Sequence, residues 1–284
     1  MIEIGKYNNL KILRQTSVGL YLDENSDGIG ILLPEKYVPD HFEIDSFINV
    51  FVYKDSEDRI IATTLKPFIE LNQFECLQVV DVSNIGAFMD WGLEKDLLVP
   101  FHEQPGRMKP GDWYVVYLYL DAVTQRLAAS ARVGKFLNNE ILTISEGDEV
   151  DVMIWEPTDL GVNVIVNNQY KGLVYKNEIF QAVTRGDRMK GYVHKIREDN
   201  KLDIRLGKKG YGNVEPNTQI ILDLLNKHHG SIPLGDKSEP AEIYSQLGMS
   251  KKVFKKAIGS LYKQKLITIE PYSVASLTPE QKKS

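Results

Sequence analysis

The sequence predicts a multidomain protein in which three tandem five-stranded β-barrels precede an α+β domain of three helices and a hairpin. The chain has 284 residues, which is enough for two to four domains. A set of glycine, aspartate and turn positions recurs three times within its first 210 residues. After that point the hydrophobic period changes from that of strands to that of helices. These observations together predict repeated all-β units followed by a different kind of domain.

Three kinds of position mark the repeats: a glycine that opens a short strand, an aspartate that heads an apolar strand, and a turn before the last strand. They are Gly19, Gly86 and Gly161; Asp45, Asp112 and Asp187; and Asp58, Gln125 and Asn200. At each kind of position the second repeat lies 67 residues after the first, and the third lies 75 residues after the second. Because unrelated strands would not keep one offset at three positions, we interpret the pattern as three copies of one unit.

Each copy contains five short segments that are rich in β-branched and aromatic residues and bounded by turn residues. Five strands in roughly 65–75 residues fit a small closed barrel of the OB type, which leaves no open sheet edge. We therefore predict OB-type β-barrels over residues 1–67, 68–138 and 139–210.

Residues 217–275 are predicted to form an α+β winged-helix domain. The three predicted helices are Thr218 to His229, Pro240 to Leu247, and Ser250, as the N-cap, to Lys265. The predicted inward residues are Ile220, Ile221, Leu224 and Leu225, followed by Val253, Phe254, Ala257, Leu261 and Leu266. Residues 267–269 and 272–274 would form a hairpin around Pro271. Three helices followed by a hairpin make a winged helix, a variant of the helix-turn-helix.

Composition limits the classes of function. The single cysteine, Cys76, excludes a disulfide framework and a cysteine-based zinc site. The N-terminus lacks the pattern of a signal peptide, and no apolar run approaches the length of a membrane span. Neither a phosphate-binding Gly-x-x-x-x-Gly-Lys loop nor a His-Glu-x-x-His helix is present. We therefore expect a cytoplasmic, monomeric protein that is not an enzyme, does not bind membranes, and needs no cofactor or metal.

Charge is distributed unevenly along the chain, whose net charge is −5. The net charge is −5 over residues 1–70, −3 over 71–145, −1 over 146–216 and +4 over 217–284. Within repeat three, residues 185–210 hold nine basic and four acidic side chains. Because a polyanion responds to the local field rather than to the total charge, we expect nucleic acid to bind repeat three and the last domain.

Repeat three resembles the S1-type RNA-binding repeat of the ribosomal small subunit. The matching segments are Gly147-Asp148-Glu149-Val150, Gly161-Val162-Asn163-Val164, Gly172-Leu173-Val174-Tyr175, Asn177-Glu178-Ile179 and Gly186-Asp187-Arg188-Met189. Repeat two keeps fewer of them, and repeat one is the most degenerate. Three such repeats before a winged helix resemble the bacterial conserved virulence factor B family, whose winged-helix motif is similar to residues 248–259. The resemblance implies a regulatory RNA-binding protein without known catalysis.

Single-stranded nucleic acid needs flat aromatic faces for its bases and cations for its backbone. In repeat three, strand alternation directs Lys190 and Tyr192 outward, with Tyr175 on a neighbouring strand. In repeat two, Phe88 occupies the usual stacking position, and plugging the barrel is its alternative role. For repeat one, whose Tyr21 lies in an acidic segment, we expect a structural or protein-contacting role. The predicted RNA-binding residues of the barrels are Phe88, Tyr175, Arg188, Lys190, Tyr192, Arg205 and Lys208.

The third helix adds lysines that lie off its apolar stripe. They are Lys252, Lys255, Lys256 and Lys263. The helix has no Arg, Asn or Gln before Gln264, and lysine suits phosphate contact more than base reading. We therefore predict sequence-tolerant binding of single-stranded RNA on one basic surface formed by repeat three and the winged helix, with an effect on gene expression. Two alternatives stay open: a DNA-binding transcription regulator acting through the winged helix, and a protein-interaction scaffold on the ribosome or polymerase.

Overall fold

A computed structural model describes residues 2–23, 30–179, 182–207, 216–228, 230–263 and 266–277. Within these ranges the chain forms three five-stranded β units, followed by three helices with a small three-stranded sheet. The predicted fold class is therefore confirmed. No helix in these ranges is long and apolar enough to cross a lipid bilayer.

Barrel one is a closed five-stranded sheet. Its strands are β1 (Lys6–Thr16), β2 (Gly19–Leu22), β3 (Ile31–Pro34), β4 (Phe47–Lys54) and β5 (Ile60–Thr63). They are hydrogen-bonded in the order β1-β2-β3-β5-β4, and β4 returns to β1. Leu20 and Leu22 are fully buried, whereas Tyr21 between them is half-buried on the outer face. This alternation is the period of two that the apolar pattern of the strands predicts.

Barrel two has the same strand order, but its ladder is interrupted. Its strands are β6 (Phe74–Val82), β7 (Gly86–Asp90), β8 (Leu97–Pro100), β9 (Trp113–Leu120) and β10 (Leu127–Ser130). They pair in the order β10-β9-β6-β7-β8, and β8 and β10 lie side by side at the two edges without a hydrogen-bonded ladder between them. Three closed barrels were expected, so barrel two is a departure. The corresponding parallel contact in barrel one is a single pair, Leu32 with Ile61, so a small separation suffices to open it.

Barrel three is closed in the same way as barrel one. Its strands are β11 (Glu149–Pro157), β12 (Gly161–Val166), β13 (Tyr170–Tyr175), β14 (Arg188–Ile196) and β15 (Leu202–Leu206). The order is β11-β12-β13-β15-β14, and β14 pairs with β11 to complete the circle. A core of aliphatic residues from all five strands fills its interior around the buried Tyr170.

The glycine that recurs at the start of each second strand has a steric cause. At Gly19, Gly86 and Gly161, an added Cβ atom would lie only 1.9–2.3 Å from a main-chain carbonyl oxygen of the third strand. Heavy atoms cannot approach so closely, so any other residue would push the two strands apart. The repeated glycine is therefore a packing requirement of this barrel, which explains why it marks the repeats so clearly.

The aspartate position of repeat one needs a correction. Asp45 has a φ angle of 69°, and its N–H donates to the Ile12 carbonyl. Gly111 and Gly186 have φ angles of 88° and 90°, and they make the same hydrogen bond to β6 and β11. Asp45 is thus the structural equivalent of these glycines and not of Asp112, and its offset is 66. The offset is smaller here because barrel one has one more residue than barrel two between the starts of its second and third strands. The turn between its fourth and fifth strands is one residue shorter, so the offset returns to 67 at Asp58.

Apolar clusters join consecutive barrels. Phe51 and Tyr53 of barrel one belong to the same buried cluster as Trp91 of barrel two. The Phe51 and Trp91 rings meet edge to face, with 5.9 Å between their centroids. Phe74 of barrel two shares a second cluster with Met153 of barrel three. Because these contacts remove large side chains from water, the barrels pack against one another rather than hanging on open linkers.

The winged-helix domain has its own core. Its elements are α1 (Pro216–Lys227), β16 (Ser231–Ile232), α2 (Pro240–Leu247), α3 (Lys251–Lys263), β17 (Ile267–Ile269) and β18 (Val274–Ser276). The sheet order is β16-β18-β17. Ile221, Leu225, Phe254, Ala257 and Leu261 are buried in the cluster that the helices form. Gly248, with a φ angle of 64°, ends α2 and donates its N–H to the Tyr244 carbonyl.

Three details of this domain differ from the prediction. The second strand of the hairpin is Val274–Ser276 rather than 272–274, and Tyr272 lies in the turn with 66% of its surface exposed. Ile220 is 42% exposed, because the neighbouring Ile221 occupies the core side of α1. Strand β16 was not predicted, since two residues are too few to show a period. The predicted helix ends His229 and Lys265 lie outside the described residues.

Candidate nucleic-acid interface

The outer face of barrel three carries a groove of about 390 Å³, which we call the barrel-three groove. Its lining includes Asn163, Lys171, Leu173, Arg197, Lys201 and Asp203. Asn163 on β12 and Leu173 on β13 are register partners and lie side by side. Both point outward because the strand neighbours Val164 and Val174 are buried in the barrel core.

Barrel two carries a groove of about 350 Å³, which we call the barrel-two groove. Its lining includes Phe88, Trp91, Lys95, Leu98, Tyr119 and Arg126. Phe88 on β7 and Leu98 on β8 are register partners. Tyr53 and Lys54 of barrel one also line this groove, so it lies where the first two barrels meet.

The two grooves occupy equivalent positions on their barrels. Three pairs of lining residues share the offset of 75 that relates the repeats: Phe88 and Asn163, Leu98 and Leu173, and Arg126 and Lys201. In each barrel the cation directly follows a turn residue with positive φ, 55° at Gln125 and 57° at Asn200. The fold thus places two outward side chains and one cation at the same site twice.

The same site on barrel one is occupied by its own side chains. Tyr21 and Leu32 are register partners, as Phe88 and Leu98 are in barrel two. The Arg14 guanidinium lies 4.6 Å from the centroid of the Tyr21 ring and covers it. Arg59, the cation of this site, forms an ion pair of 2.7 Å with Asp55. The equivalent cations of the other two barrels are also ion-paired, Arg126 with Asp58 and Lys201 with Asp199, so barrel one differs in that Arg14 covers its aromatic ring.

Cations of the barrel-two groove are held at the junction of the first two barrels. Arg126 forms a bidentate ion pair with Asp58 of barrel one. Lys95 donates to the Asp55 carbonyl over 3.0 Å, and burial, aided by the nearby Arg126, lowers the pKa of Lys95. Burial also raises the pKa of Tyr119 to about 12, so this phenol stays neutral and can stack or donate. The groove therefore combines neutral aromatic rings with cations at its rim.

In the barrel-three groove, Arg197 is the central cation. It hydrogen-bonds to the Tyr175 hydroxyl and lies 5.7 Å from the centroid of that ring. Its Nε also donates to Asp203 over 3.1 Å. Lys171 lies 5.3 Å from the centroid of the Trp155 ring, a cation–π contact, and among the described residues it forms no ion pair with a carboxylate. The predicted residue Tyr175 is thus fixed beside the groove by Arg197.

The predicted residues Lys190 and Tyr192 lie on β14, outside the groove lining described above. Both point outward, as strand alternation predicted. Lys190 forms an ion pair of 2.7 Å with Asp151, and the Tyr192 hydroxyl donates to Glu149 over 2.6 Å. Hydrogen bonding to Asp151 raises the pKa of Lys190. These acids come from β11, the strand that pairs with β14.

The other predicted cations of barrel three are paired as well. Arg188 reaches across the barrel junction to the Phe74 carbonyl at 2.7 Å and to Glu75 at 3.0 Å. Arg205 forms an ion pair of 2.8 Å with Glu178. Much of the positive charge counted over residues 185–210 is therefore neutralised by carboxylates. Lys208 lies outside the described residues.

The predicted lysines of the winged helix lie on α3, on the side away from the core. Lys255 forms an ion pair of 2.8 Å with Asp236. Lys252, Lys256 and Lys263 share a face with Gly259, because spacings of three, four and seven residues return to the same side of a helix. A Cβ atom at Gly259 would meet nothing within 4 Å, so no internal packing requires this glycine.

Several groove residues were not among the predicted site residues. Lys171, Lys201 and Arg126 line the grooves, whereas the charge count over residues 185–210 favoured the cations of β14. The repeat pattern contained a usable signal: Arg59, Arg126 and Lys201 each follow the turn residue that marks the last strand. Over the described ranges, no group of three or more His, Cys, Asp or Glu side chains is placed to hold a metal ion.

Comparison with known proteins identifies the domains. A sequence model of the S1 domain matches residues 4–65 and 73–132, which are the two barrels expected to be the more degenerate. A model of the CvfB-like winged-helix domain matches residues 219–275. OB-type barrels and winged helices are nucleic-acid-binding folds rather than enzyme families, so the domain composition is that of a nucleic-acid-binding protein.

Relatives match over nearly their whole length. "Conserved virulence factor B" of Staphylococcus epidermidis is 27% identical over 275 residues, covering 94% of this chain and 92% of the relative. The protein of the same name from Staphylococcus aureus is 26% identical over 96% of this chain and 93% of its own. A crystal structure from Streptococcus pneumoniae, described as a multidomain protein with nucleic acid binding domains, matches with 22% identity and a TM-score of 0.45, covering 96% of this chain and 98% of that one. This chain therefore carries S1 domains and a CvfB-like winged-helix domain, and it is similar over nearly its whole length to proteins named conserved virulence factor B.

Proposed function

We propose that this protein binds single-stranded RNA in the grooves of barrels two and three and on the lysine face of α3, and thereby regulates gene expression. One observation carries the proposal: two equivalent grooves each place outward side chains beside a cation. Unstacked bases suit such sites, since a flat or apolar floor accepts any base and a cation accepts the phosphate beside it. We further propose a cytoplasmic monomer.

The lysines of α3 contribute through charge rather than through base reading. Lysine contacts phosphate as a point charge, whereas arginine, asparagine and glutamine make the paired hydrogen bonds that distinguish bases. The face of α3 that carries Lys252, Lys256 and Lys263 has none of these three residue types among its described positions. This supports sequence-tolerant binding and argues against a sequence-specific DNA regulator.

The test compares oligouridine RNA, single-stranded DNA and duplex DNA of equal length at about 50 and 200 mM salt, by fluorescence anisotropy with the full chain. The proposal predicts the tightest binding to RNA and steep weakening with salt. Tighter binding to the duplex would favour the DNA-binding alternative. No binding to any of the three would leave the protein-scaffold alternative.

Two sets of variants separate the possible surfaces. Lys171→Gln with Lys201→Gln removes the lysines of the barrel-three groove. Replacing Lys190, Tyr192, Lys255 and Lys256 by Ala tests the surface expected from the sequence. Loss of binding in the first set assigns the groove, and unchanged binding in both sets would exclude RNA binding by barrel three and α3.

A further inference from the structure

A third groove lies between barrels two and three. It has a volume of about 420 Å³ and is lined by Tyr114, Arg132, Lys135, Trp155, Glu156 and Arg185, among others. We call it the junction groove. Tyr114 and Arg132 come from barrel two and its exit, Lys135 from the connector, and the remaining three from barrel three. No single barrel forms it, so it exists only because the two barrels pack together.

Two arginines of the junction groove are hydrogen-bonded to main-chain carbonyl oxygens, which do not neutralise their charge. The Arg132 Nε donates to the Gln104 carbonyl over 3.2 Å, and the Arg185 Nη1 donates to the Trp113 carbonyl over 2.8 Å. A main-chain carbonyl orients a guanidinium without neutralising it, whereas a carboxylate does both. In the part of the chain that the structure describes, neither guanidinium has a carboxylate within 4 Å. Both residues are exposed, so their remaining N–H groups are accessible to phosphate.

Aromatic rings lie beside these cations. The Arg185 guanidinium lies 5.5 Å from the centroid of the Tyr114 ring. Trp155 is half-buried and lines the same groove. Glu103, which does not line the groove, is paired with Lys135. Glu156 lines the groove and accepts a hydrogen bond from the neutral Asn163 amide, so it is the one carboxylate among the described lining residues that a phosphate would have to pass. Rings with uncompensated cations are the combination that single-stranded nucleic acid requires.

The junction groove connects the other two. Lys171 of the barrel-three groove lies over the ring of Trp155, which lines the junction groove. On the other side, Lys135 of the junction groove lies 5.8 Å from the centroid of the Tyr119 ring, which lines the barrel-two groove. Each pair of neighbouring grooves is thus joined by a cation on an aromatic ring.

We infer that the junction groove binds the phosphate backbone of single-stranded nucleic acid, and so joins the grooves of barrels two and three into one continuous track. The inference rests on the proposed function, and it adds the path that one strand takes between the barrels. Arg132 and Arg185 contact phosphates on this path, and the exposed part of Trp155 stacks with a base.

Oligonucleotide length separates this inference from the proposed function. An oligouridine of about five nucleotides fills one barrel site, whereas one of about 18 nucleotides spans the track. The full chain is expected to bind the long oligonucleotide at least tenfold more tightly. In the double variant Arg132→Gln, Arg185→Gln this gain disappears, while short-oligonucleotide affinity is unchanged. The salt slope for the long oligonucleotide falls by about 1.4, since each lost phosphate contact contributes ~0.7.

Controls exclude a loss through charge or misfolding. Lys6→Gln with Lys11→Gln removes the same charge from β1, where both lysines are ion-paired, and should leave the length gain intact. Arg132→Lys with Arg185→Lys should restore the salt slope, which a merely structural role of the arginines would not. In a Trp113→Phe background the remaining tryptophans are Trp91 and Trp155, and the part of the quenching that a further Trp155→Phe change removes should be caused by the long oligonucleotide only.

Three results would overturn the inference. If the short oligonucleotide binds and the long one binds no more tightly, the proposed function stands and the continuous track is rejected. A gain that survives the double variant would assign it to another surface. Absence of binding at both lengths would reject the proposed function, and the track with it.

Discussion

The outer face of β14 and the junction groove both carry exposed cations, but the partners of these cations differ. On β14, Lys190 is paired with Asp151 at 2.7 Å. In the junction groove, Arg132 and Arg185 are held by main-chain carbonyl oxygens. The number of cations along a segment therefore says little about its attraction for a polyanion. What matters is how many of them have no carboxylate beside them.

The same comparison applies between barrels. Barrel one covers the ring of Tyr21 with Arg14. In barrel two the equivalent ring, Phe88, lines a groove, although the two barrels share one strand order. Equivalent positions on one fold thus become closed or open to a ligand through the side chains next to them.

The largest expected effect is at Phe88, the aromatic residue of the barrel-two groove. In Phe88→Leu the apolar volume remains but the flat ring is lost, so we expect RNA affinity to fall by about 1–3 kcal/mol, or roughly 5- to 150-fold. Anisotropy titration with oligouridine measures it, and Phe88→Tyr serves as the control that keeps the ring. Equal affinity of the Leu and Tyr variants would mean that Phe88 packs the barrel without stacking on bases.

Lys171→Gln is expected to have the next largest effect. Its charge faces an aromatic ring rather than a carboxylate, so its removal should weaken RNA binding several-fold and lower the salt slope by about 0.7. Binding isotherms at four salt concentrations give this slope. An unchanged slope would show that no phosphate reaches Lys171.

Glu103→Gln should act in the opposite direction. Glu103 is buried and binds Lys135 at 2.6 Å, so the amide would leave the lysine charge uncompensated at the edge of the junction groove. We expect affinity for a long oligonucleotide to rise about two- to fourfold, with a salt slope larger by about 0.7. A decrease in affinity would contradict the idea that free charge limits binding there.

The same variant should also change how the free energy of unfolding depends on pH. Burial acts to raise the pKa of Glu103, but the hydrogen bonds from Lys135 and Ser130 outweigh it and lower the pKa. A carboxyl with a lowered folded-state pKa contributes stability above its unfolded pKa of about 4.3, and this contribution is lost as the pH falls through the folded value. Urea unfolding between pH 7 and 3 should therefore show a smaller loss in Glu103→Gln than in the wild type.

Lys190→Gln should have the smallest effect. Its charge is shared with Asp151 and lies near Glu149, so we expect less than a twofold change in RNA affinity. Asp151→Asn is the informative partner, since it would free the lysine and increase binding. A tenfold loss of RNA affinity in Lys190→Gln would show instead that RNA contacts β14.

The fold was predictable because its signals are local. Glycine is required at the start of each second strand, where a side chain would collide with the third strand, and this requirement recurs in every copy. The helical period of the last domain likewise appears within single helices. The departures were the missing ladder between β8 and β10, the second strand of the hairpin, the exposed Ile220, the two-residue strand β16, and the offset at Asp45, where an aspartate adopts the conformation of a glycine.

The candidate site was predictable only in part. Phe88 and Tyr175 lie in or beside grooves, because strand alternation directs them outward. The partners of Arg188, Lys190 and Arg205 could not be predicted, since their carboxylates come from distant parts of the chain. Glu75, which holds Arg188, belongs to another barrel altogether.

The sequence by itself determined the order of the domains, the β period of the barrels and the outward direction of their groove residues, since each depends on neighbours along the chain. Only the tertiary structure decided which cations remain available for a ligand. Charge pairing depends on side chains that strand register and barrel packing bring together. The junction groove, with Arg132 and Arg185 on main-chain carbonyls, exists only where barrels two and three meet.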